Sequence, residues 1–313
     1  MPKTLIVYFS QAGSTAKVAG AVAAGLRSVG HEVDLHDLTA GAPPSPLGYD
    51  AFGVGTPVYA FRPPFNVLRY LDGLPELSGL PYFVLLQSAG LEADAGNAVR
   101  GALRRKGGRE VGYFKGKGAD YFYAWIRHGI LFSPEHPTPE GLQAAEAFGE
   151  AIADRVAGAP YQPPPPDPKA PALFRFARAS MNAWVVRNIV SRGFRVRADV
   201  CTACGTCVDV CPTGNIQADA RGRPVFGRDC IACAYCDLRC PVEAIHSPIR
   251  WRSFAPLLNA IERKALDWPG VSYARVKLEA GEVKRVLEPD MTLETTPATA
   301  PAPEGPPPTG GVT

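Results

Sequence analysis

All eight cysteines of this 313-residue chain lie between Cys201 and Cys240, in two copies of one pattern. The first copy reads Cys201-x-x-Cys204-x-x-Cys207-x-x-x-Cys211-Pro212. The second reads Cys230-x-x-Cys233-x-x-Cys236-x-x-x-Cys240-Pro241. The copies keep step cysteine for cysteine, so the stretch is an internal repeat. A cubane cluster needs four thiolates converging from four directions. Three cysteines at x-x intervals wrap a loop around three corners, and a fourth before proline comes from a turn further off. Zinc sites use paired Cys-x-x-Cys knuckles and have no need of the third x-x-Cys. Disulfides would require an exported chain. The N-terminus turns polar after Phe9, too short an apolar run for a signal peptide.

The double run resembles that of bacterial two-cluster ferredoxins, in which the fourth cysteine serves the other cluster. The resemblance implies one [4Fe–4S] centre on Cys201, Cys204, Cys207 and Cys240. It implies a second on Cys230, Cys233, Cys236 and Cys211. Gly205 fits a backbone that must approach the cube closely. Ile216 and Ile245 recur after each Cys-Pro, as an apolar shell around the clusters would require.

The rest of the chain must position this module. Its length allows two domains. It is 46% hydrophobic and 20% charged, enough for packed cores. A net charge of +3 is too small to suggest nucleic acid. No stretch approaches the roughly 20 apolar residues of a membrane span. A cytoplasmic location is expected.

In the N-terminal half, Thr4 to Phe9 reads as a buried strand, and Ser10 to Thr15 as a small polar loop. Ala16 to Ser28 then has helical spacing. Strand, loop and helix in that order present amides and hydroxyls to a phosphate. Further strands are expected at His31 to Leu35, Ala51 to Gly55, Pro81 to Gln87 and Glu110 to Phe114. Helices are expected at Pro64 to Leu71, Ala93 to Arg105 and Pro139 to Val156. The proline-rich region Gly41 to Gly48 predicts a short or irregular second crossover. Alternating strands and helices imply a doubly wound five-stranded parallel sheet, with ligands beyond the carboxyl ends of its strands.

Three loops end there: Ser10 to Thr15, Thr56 to Phe61 and Ser88 to Leu91. Here the sequence resembles the flavodoxin family, which binds FMN with three such loops. In the family's phosphate pattern [ST]-x-T-G-x-[TS], Ser10, Gly13 and Thr15 match, while Ala12 removes one hydroxyl. The resemblance implies FMN contacts from Ser10, Gln11, Gly13, Ser14, Thr15, Thr56, Pro57, Val58, Tyr59, Ser88, Ala89 and Gly90. Tyr59 is the aromatic residue placed to stack on the flavin ring. No G-x-G-x-x-G follows a strand, which argues against a built-in dinucleotide site. The five histidines form no metal spacing, and His31 and His36 read as surface or strand-end residues. His128 and His136 follow an aromatic group, Tyr121, Tyr123 and Trp125. That group reads as packing, with capping of the flavin edge the alternative.

Ala159 to Pro171 is a proline-rich boundary whose Pro163 to Pro166 favours a stiff polyproline spacer or a hinge. Leu173 to Phe194 reads as one basic amphipathic helix. Its expected inner face is Leu173, Phe174, Ala177, Met181, Trp184, Val185, Asn188 and Ile189, with solvated arginines opposite. A bridge between domains is favoured over contact with a membrane surface. A helix is expected at Arg252 to Leu266, and a hairpin over Tyr273 to Leu287 with its turn at Ala280-Gly281.

The whole chain resembles bacterial flavodoxin–ferredoxin fusion proteins. The expected fold is a flavodoxin-like doubly wound sheet plus a small α+β two-cluster ferredoxin domain. The expected divisions are a flavodoxin-like domain at 1–158, a linker at 159–171 and a bridging helix at 172–194. A ferredoxin domain at 195–248, an extension at 249–291 and a disordered tail at 292–313 follow. The resemblance implies an electron relay between FMN and two [4Fe–4S] clusters, served by a redox partner protein or a small acceptor. A flavin-dependent reductase of a quinone or other small acceptor is the alternative. A third reading drops the flavin and leaves a docking module.

Overall fold

The computed structural model describes residues 1–90, 92–268, 270–276 and 295–296. Five strands form one sheet: β1 (Lys3–Tyr8), β2 (Glu32–Asp37), β3 (Ala51–Pro57), β4 (Pro81–Ser88) and β5 (Arg109–Lys117). Their order is β2-β1-β3-β4-β5, and every pairing is parallel. That is the flavodoxin-like doubly wound order. Helices α1 (Ser14–Ser28), α2 (Phe65–Asp72), α3 (Ala95–Arg105), α4 (Tyr123–Arg127) and α5 (Pro139–Val156) complete this half, with a short strand β6 (Ile130–Phe132). Residues 38–50 carry no helix, as the prolines there require.

Alternation along β1 builds the two cores. Leu5 and Val7 join Val67, Leu71, Val99 and Leu103 of α2 and α3 on one face. Ile6 joins Val18, Val22, Ala145 and Ile152 of α1 and α5 on the other. Successive side chains of a strand point to opposite faces, so one apolar run serves both layers. Two glycines let α1 and α5 touch. A Cβ on Gly25 would fall 1.9 Å from Glu146 O, and one on Gly149 would fall 2.2 Å from Val22 O.

The proline-rich stretch is hydrogen-bonded to the sheet half. The Asp167 carboxylate accepts from Tyr113 Oη at 2.5 Å and Lys115 Nζ at 3.0 Å. Asp167 N donates to Asn97 Oδ1, and Asn97 Nδ2 donates back to Asp167 O. Arg100, paired in the interior with Glu110, also donates to Pro164 O at 2.7 Å. The stretch therefore lies along α3 and β5.

The basic segment is two helices. The first, Ala172–Ser180, ends at Met181, and Asn182 caps the next turn by accepting from Val185 N. A π-helical turn follows at Val186–Val190. The break is held from the flavodoxin half: Arg62 donates to Arg178 O at 3.1 Å and to Met181 O. A guanidinium that satisfies carbonyls released at a helix end stabilises that end. Only part of the expected inner face is inside. Phe174 and Ala177 are buried with Val186 and Val190, whereas Trp184 is 66% exposed and Ile189 44%. Arg178 turns inward to pair with Asp94 at 2.7 Å.

The cysteine repeat appears in the backbone. Turns at Thr206–Asp209 and Tyr235–Leu238 occupy matching positions, as do strands at Ile216–Ala218 and Ile245–His246. The strands pair crosswise. Arg195–Val196, before the first cysteine run, pairs with Ile245–His246 after the second; Ile216–Ala218, after the first, pairs with Pro224–Phe226 before the second. A helix at Ala255–Leu266 follows, and Tyr273–Arg275 pairs antiparallel with β6, returning the chain to the first half. The hairpin turn at Ala280-Gly281 and the tail beyond 291 lie outside the described residues, except Thr295–Thr296, whose backbone pairs with Tyr273 and Ala274. Among the described residues no helix is long and apolar enough to cross a membrane.

Candidate functional site

The sulfurs fall into two groups. Burial pushes the Cys207 thiol up to about 11, and the charges that add to this belong to Cys240, Cys204 and Cys201. Burial also pushes Cys236 well up, with Cys233, Cys230, the Asp237 carboxylate and Cys211 adding to it. Cys230 is raised to about 12 by burial, then by Cys233 and Cys211. Each group thus draws three members from one run and one from the other, following the crosswise pairing of the strands. All eight thiols are free. Among the described residues no three His, Cys, Asp or Glu side chains could hold a single metal ion. The donor set, four thiols to a group, is the one a [4Fe–4S] cluster takes.

Left-handed backbone shapes both loops. Ala203 and Ala232 have φ of 54° and 59°, and Gly205 and Ala234 have 77° and 52°. Such values are uncommon for alanine and mark loops held in a special conformation. Gly205 takes a left-handed φ, and Ala234 takes the matching one in the second run. Ile216 and Ile245 are buried with Phe194, Cys207 and Cys236, the apolar shell expected of them.

At the carboxyl ends of the sheet lies a cavity of about 120 Å³. Ser10, Gln11, Ser14, Thr15, Pro57, Val58, Tyr59, Ser88 and Ala89 all line it. Gly13, Thr56 and Gly90 do not. Thr56 is buried and donates to Pro57 O, and Gly13 contributes a left-handed N-cap to α1. Leu91 lies outside the described residues. The α1 cap has no side-chain hydrogen bond, while Ser10 Oγ accepts from Ala16 N at 3.1 Å. The Ser14 and Thr15 amides at the start of the helix remain available to an anion. Gln87 lines the same cavity, and its buried Oε1 has no partner among the described residues. These residues fit a phosphorylated, hydrogen-bonding ring ligand.

Two residues after β5, Gly118 and Asp120, were missed as cavity-lining; Trp125, weighed for the flavin edge, lines the cavity with them. The available signal was the position of this loop at a strand's carboxyl end. Trp125 packs against Phe122 and Phe132, the packing role weighed for its aromatic group, and its ring also borders the cavity. Asp120 accepts from Phe122 N at 2.9 Å and Trp125 Nε1 at 3.2 Å. Burial nevertheless raises its carboxyl to about 6. His31, at the leading end of β2 as one of the two expected placements has it, is buried beside Thr4 Oγ1 at 3.1 Å. His128 pairs with Glu262.

The cavity meets the cysteine module directly. Ile231 and Cys233 pack against the sheet core with Leu5, Val7 and Phe65. Tyr59 Oη donates to Gln11 Oε1 at 2.6 Å, and Gln11 Nε2 donates to Cys233 Sγ at 3.3 Å. Arg69–Asp229 at 3.4 Å and Arg127–Glu243 at 3.0 Å span the same junction.

The flavodoxin domain family matches residues 5–127, and the 4Fe-4S dicluster domain family matches residues 200–245. The chain joins a flavodoxin domain to a 4Fe-4S dicluster domain. A flavodoxin domain implies FMN, and a dicluster domain implies iron–sulfur; together they make this a flavin and iron–sulfur electron-transfer protein with a redox partner. Among solved structures, a flavodoxin from the domain Archaea is 19% identical, aligning 50% of this chain with 99% of its own at a TM-score of 0.40. Oxidised flavodoxin 2 from Bacillus cereus is 20% identical over 49% and 99%, also at 0.40. The flavodoxin of Streptococcus pneumoniae TIGR4 is 19% identical over 49% and 99%, at 0.37. No curated protein matches the chain.

Proposed function

We propose that this protein relays electrons between one FMN and two [4Fe–4S] clusters. The observation that carries the reading is the Gln11 side chain, hydrogen-bonded at once to Tyr59 of a flavin loop and to Cys233 of a cluster loop. FMN supplies two-electron chemistry and each cluster one-electron chemistry, so their junction converts between the two.

The chain's own residues do the positioning. Ser10, Ser14, Thr15 and the first amides of α1 would hold the FMN phosphate, with the backbone replacing the hydroxyl that Ala12 lacks. Val58, Tyr59 and Trp125 would border the ring, and Gln87 would offer it an acceptor. Cys201, Cys204, Cys207 and Cys240 would ligate one cluster, and Cys230, Cys233, Cys236 and Cys211 the other. Support comes from the four-and-four grouping of their sulfurs. Ile216, Ile245 and Phe194 pack against Cys207 and Cys236 and cover that side of the two groups. The second cluster would be the one beside the flavin, because Cys233 and Ile231 pack on the flavodoxin core.

We assign the domain limits accordingly: flavodoxin to 158, a docked strap at 159–171, a broken bridge at 172–194 and the cluster module at 195–248. Anaerobic reconstitution tests the relay. Eight iron atoms and one FMN per chain are expected, on the ligand pattern of two cubanes. Stepwise reductive titration should then resolve the flavin and the clusters. Zinc, four iron atoms or no FMN would overturn it.

A further inference from the structure

Beside the flavin cavity lies a second chamber, of about 200 Å³. The two adjoin through Gln11, Tyr59, Phe61, Asp120 and Trp125, which line both. Away from that seam the chamber is walled by residues that belong to no flavin loop: Met181, Val186, Val190, Leu257, Leu258 and Ile249. They come from the broken bridge and the C-terminal extension, the two segments foreign to either redox domain. Ala232, Cys233 and Tyr235 of a cluster loop line it as well. An apolar room between a flavin loop and a cluster loop is where a small electron acceptor would meet both groups.

We propose that this chamber binds an uncharged compound of one or two aromatic rings, carrying a ring carbonyl or the corresponding hydroxyl, with Asp120 as its polar contact. The inference rests on the flavin placement proposed above. Size sets the ring count: an apolar cavity of about 150 Å³ takes one benzene. Charge sets neutrality, since one carboxyl, Asp120, and one guanidinium, Arg62, line the chamber and offset one another. Arg62 is already committed to Arg178 O and Met181 O. Asp120 is hydrogen-bonded once at each oxygen, and a carboxylate oxygen can accept more than one bond. It is only half-buried although deep in the protein, because its free surface faces the cavities. A carboxyl lifted to about 6 is available in both forms near neutrality. Ionised, it accepts from a ring hydroxyl; protonated, it donates to a ring carbonyl.

The test is calorimetric titration of the oxidised, FMN- and iron-loaded full chain with 2,3-dimethyl-1,4-naphthoquinone, whose blocked ring positions cannot add to thiols. One saturable site is expected. Leu258→Trp, which fills the chamber, should weaken binding at least tenfold at unchanged FMN and iron content. Leu257→Phe, a smaller filling, provides the same comparison if the first variant loses its cofactors. Asp120→Asn should weaken binding several-fold. No uptake by the loaded chain, equal binding by the filled variants, or probe bound only without FMN and displaced by it would each overturn the proposal. A chain that takes up no FMN instead sinks the relay reading. FMN absorbance reports that separately, and the Leu258 comparison still decides the chamber.

Discussion

Gln11 Nε2 donates to Cys233 Sγ at 3.3 Å. One residue of the phosphate-side loop thereby touches a sulfur more than two hundred positions away in sequence, and Tyr59 fixes its other end at 2.6 Å. A hydrogen bond to a cluster sulfur favours the reduced, more negative state. Gln11→Leu should therefore move the potential of the adjoining cluster in the negative direction by about 50 mV, close to a tenfold change for one electron. The other cluster and the FMN content should stay unchanged. Redox titration followed by electron paramagnetic resonance checks this; equal shifts in both clusters would contradict it.

The crossed strand pairing makes a paired prediction for the fourth cysteines. Cys240→Ser should lose the cluster of the first run, and Cys211→Ser that of the second, each leaving the other cluster in place. Iron counts of about half the full complement, with distinct residual resonance signals, are expected. Loss of the cluster beside Gln11 in Cys240→Ser, with its retention in Cys211→Ser, would mean that each run serves its own cluster.

Asp167 holds the proline-rich strap by Tyr113 Oη, Lys115 Nζ and the side chain of Asn97. Asp167→Ala leaves a largely buried tyrosine hydroxyl without its acceptor, which costs roughly 1–3 kcal/mol. Limited proteolysis should then cut within 159–171 well before the rest of the chain. A strap as resistant as in the parent protein would show that the prolines alone hold it in place.

Asp120 links stability to pH. Burial raises its carboxyl to about 6, above the ordinary value near 3.9 of an unfolded chain. The protonated form is thus favoured on folding. Its contribution is fully present below about 4 and is lost as pH rises through about 6, a change of roughly 3 kcal/mol. Asp120→Asn should flatten that part of the stability profile of the metal-free chain. An unchanged slope between those limits would place the titration elsewhere.

Arg62 joins the flavodoxin half to the bridge through Arg178 O and Met181 O while its guanidinium lies 4.4 Å from the Phe65 ring centre. Arg62→Leu leaves these helix-end carbonyls without their donor. Faster amide exchange at 181–186, with α1 and α5 unaffected, is the expected result by mass spectrometry. Uniform exchange changes would contradict a local clamp.

Much of this was legible in the order of residues. Apolar runs such as Leu5 to Val7 fit strands covered on both faces, and five strand signals, most of them followed by a helical period, leave few alternatives to a doubly wound sheet. The cysteine run is legible for a different reason: a cube's corners impose local spacing, and spacing is written along the chain. Boundaries were less so. The helix expected over Leu173 to Phe194 breaks at Met181 because a distant arginine accommodates the freed carbonyls, and nothing near Met181 announces Arg62. The strap shows the same limit, since prolines report stiffness and not what they lie against. Only tertiary structure put Gln11 beside Cys233 and Asp120 at the seam of two cavities. Those meetings depend on how separate elements pack, and contact between residues remote in sequence leaves no period or spacing to read in one chain.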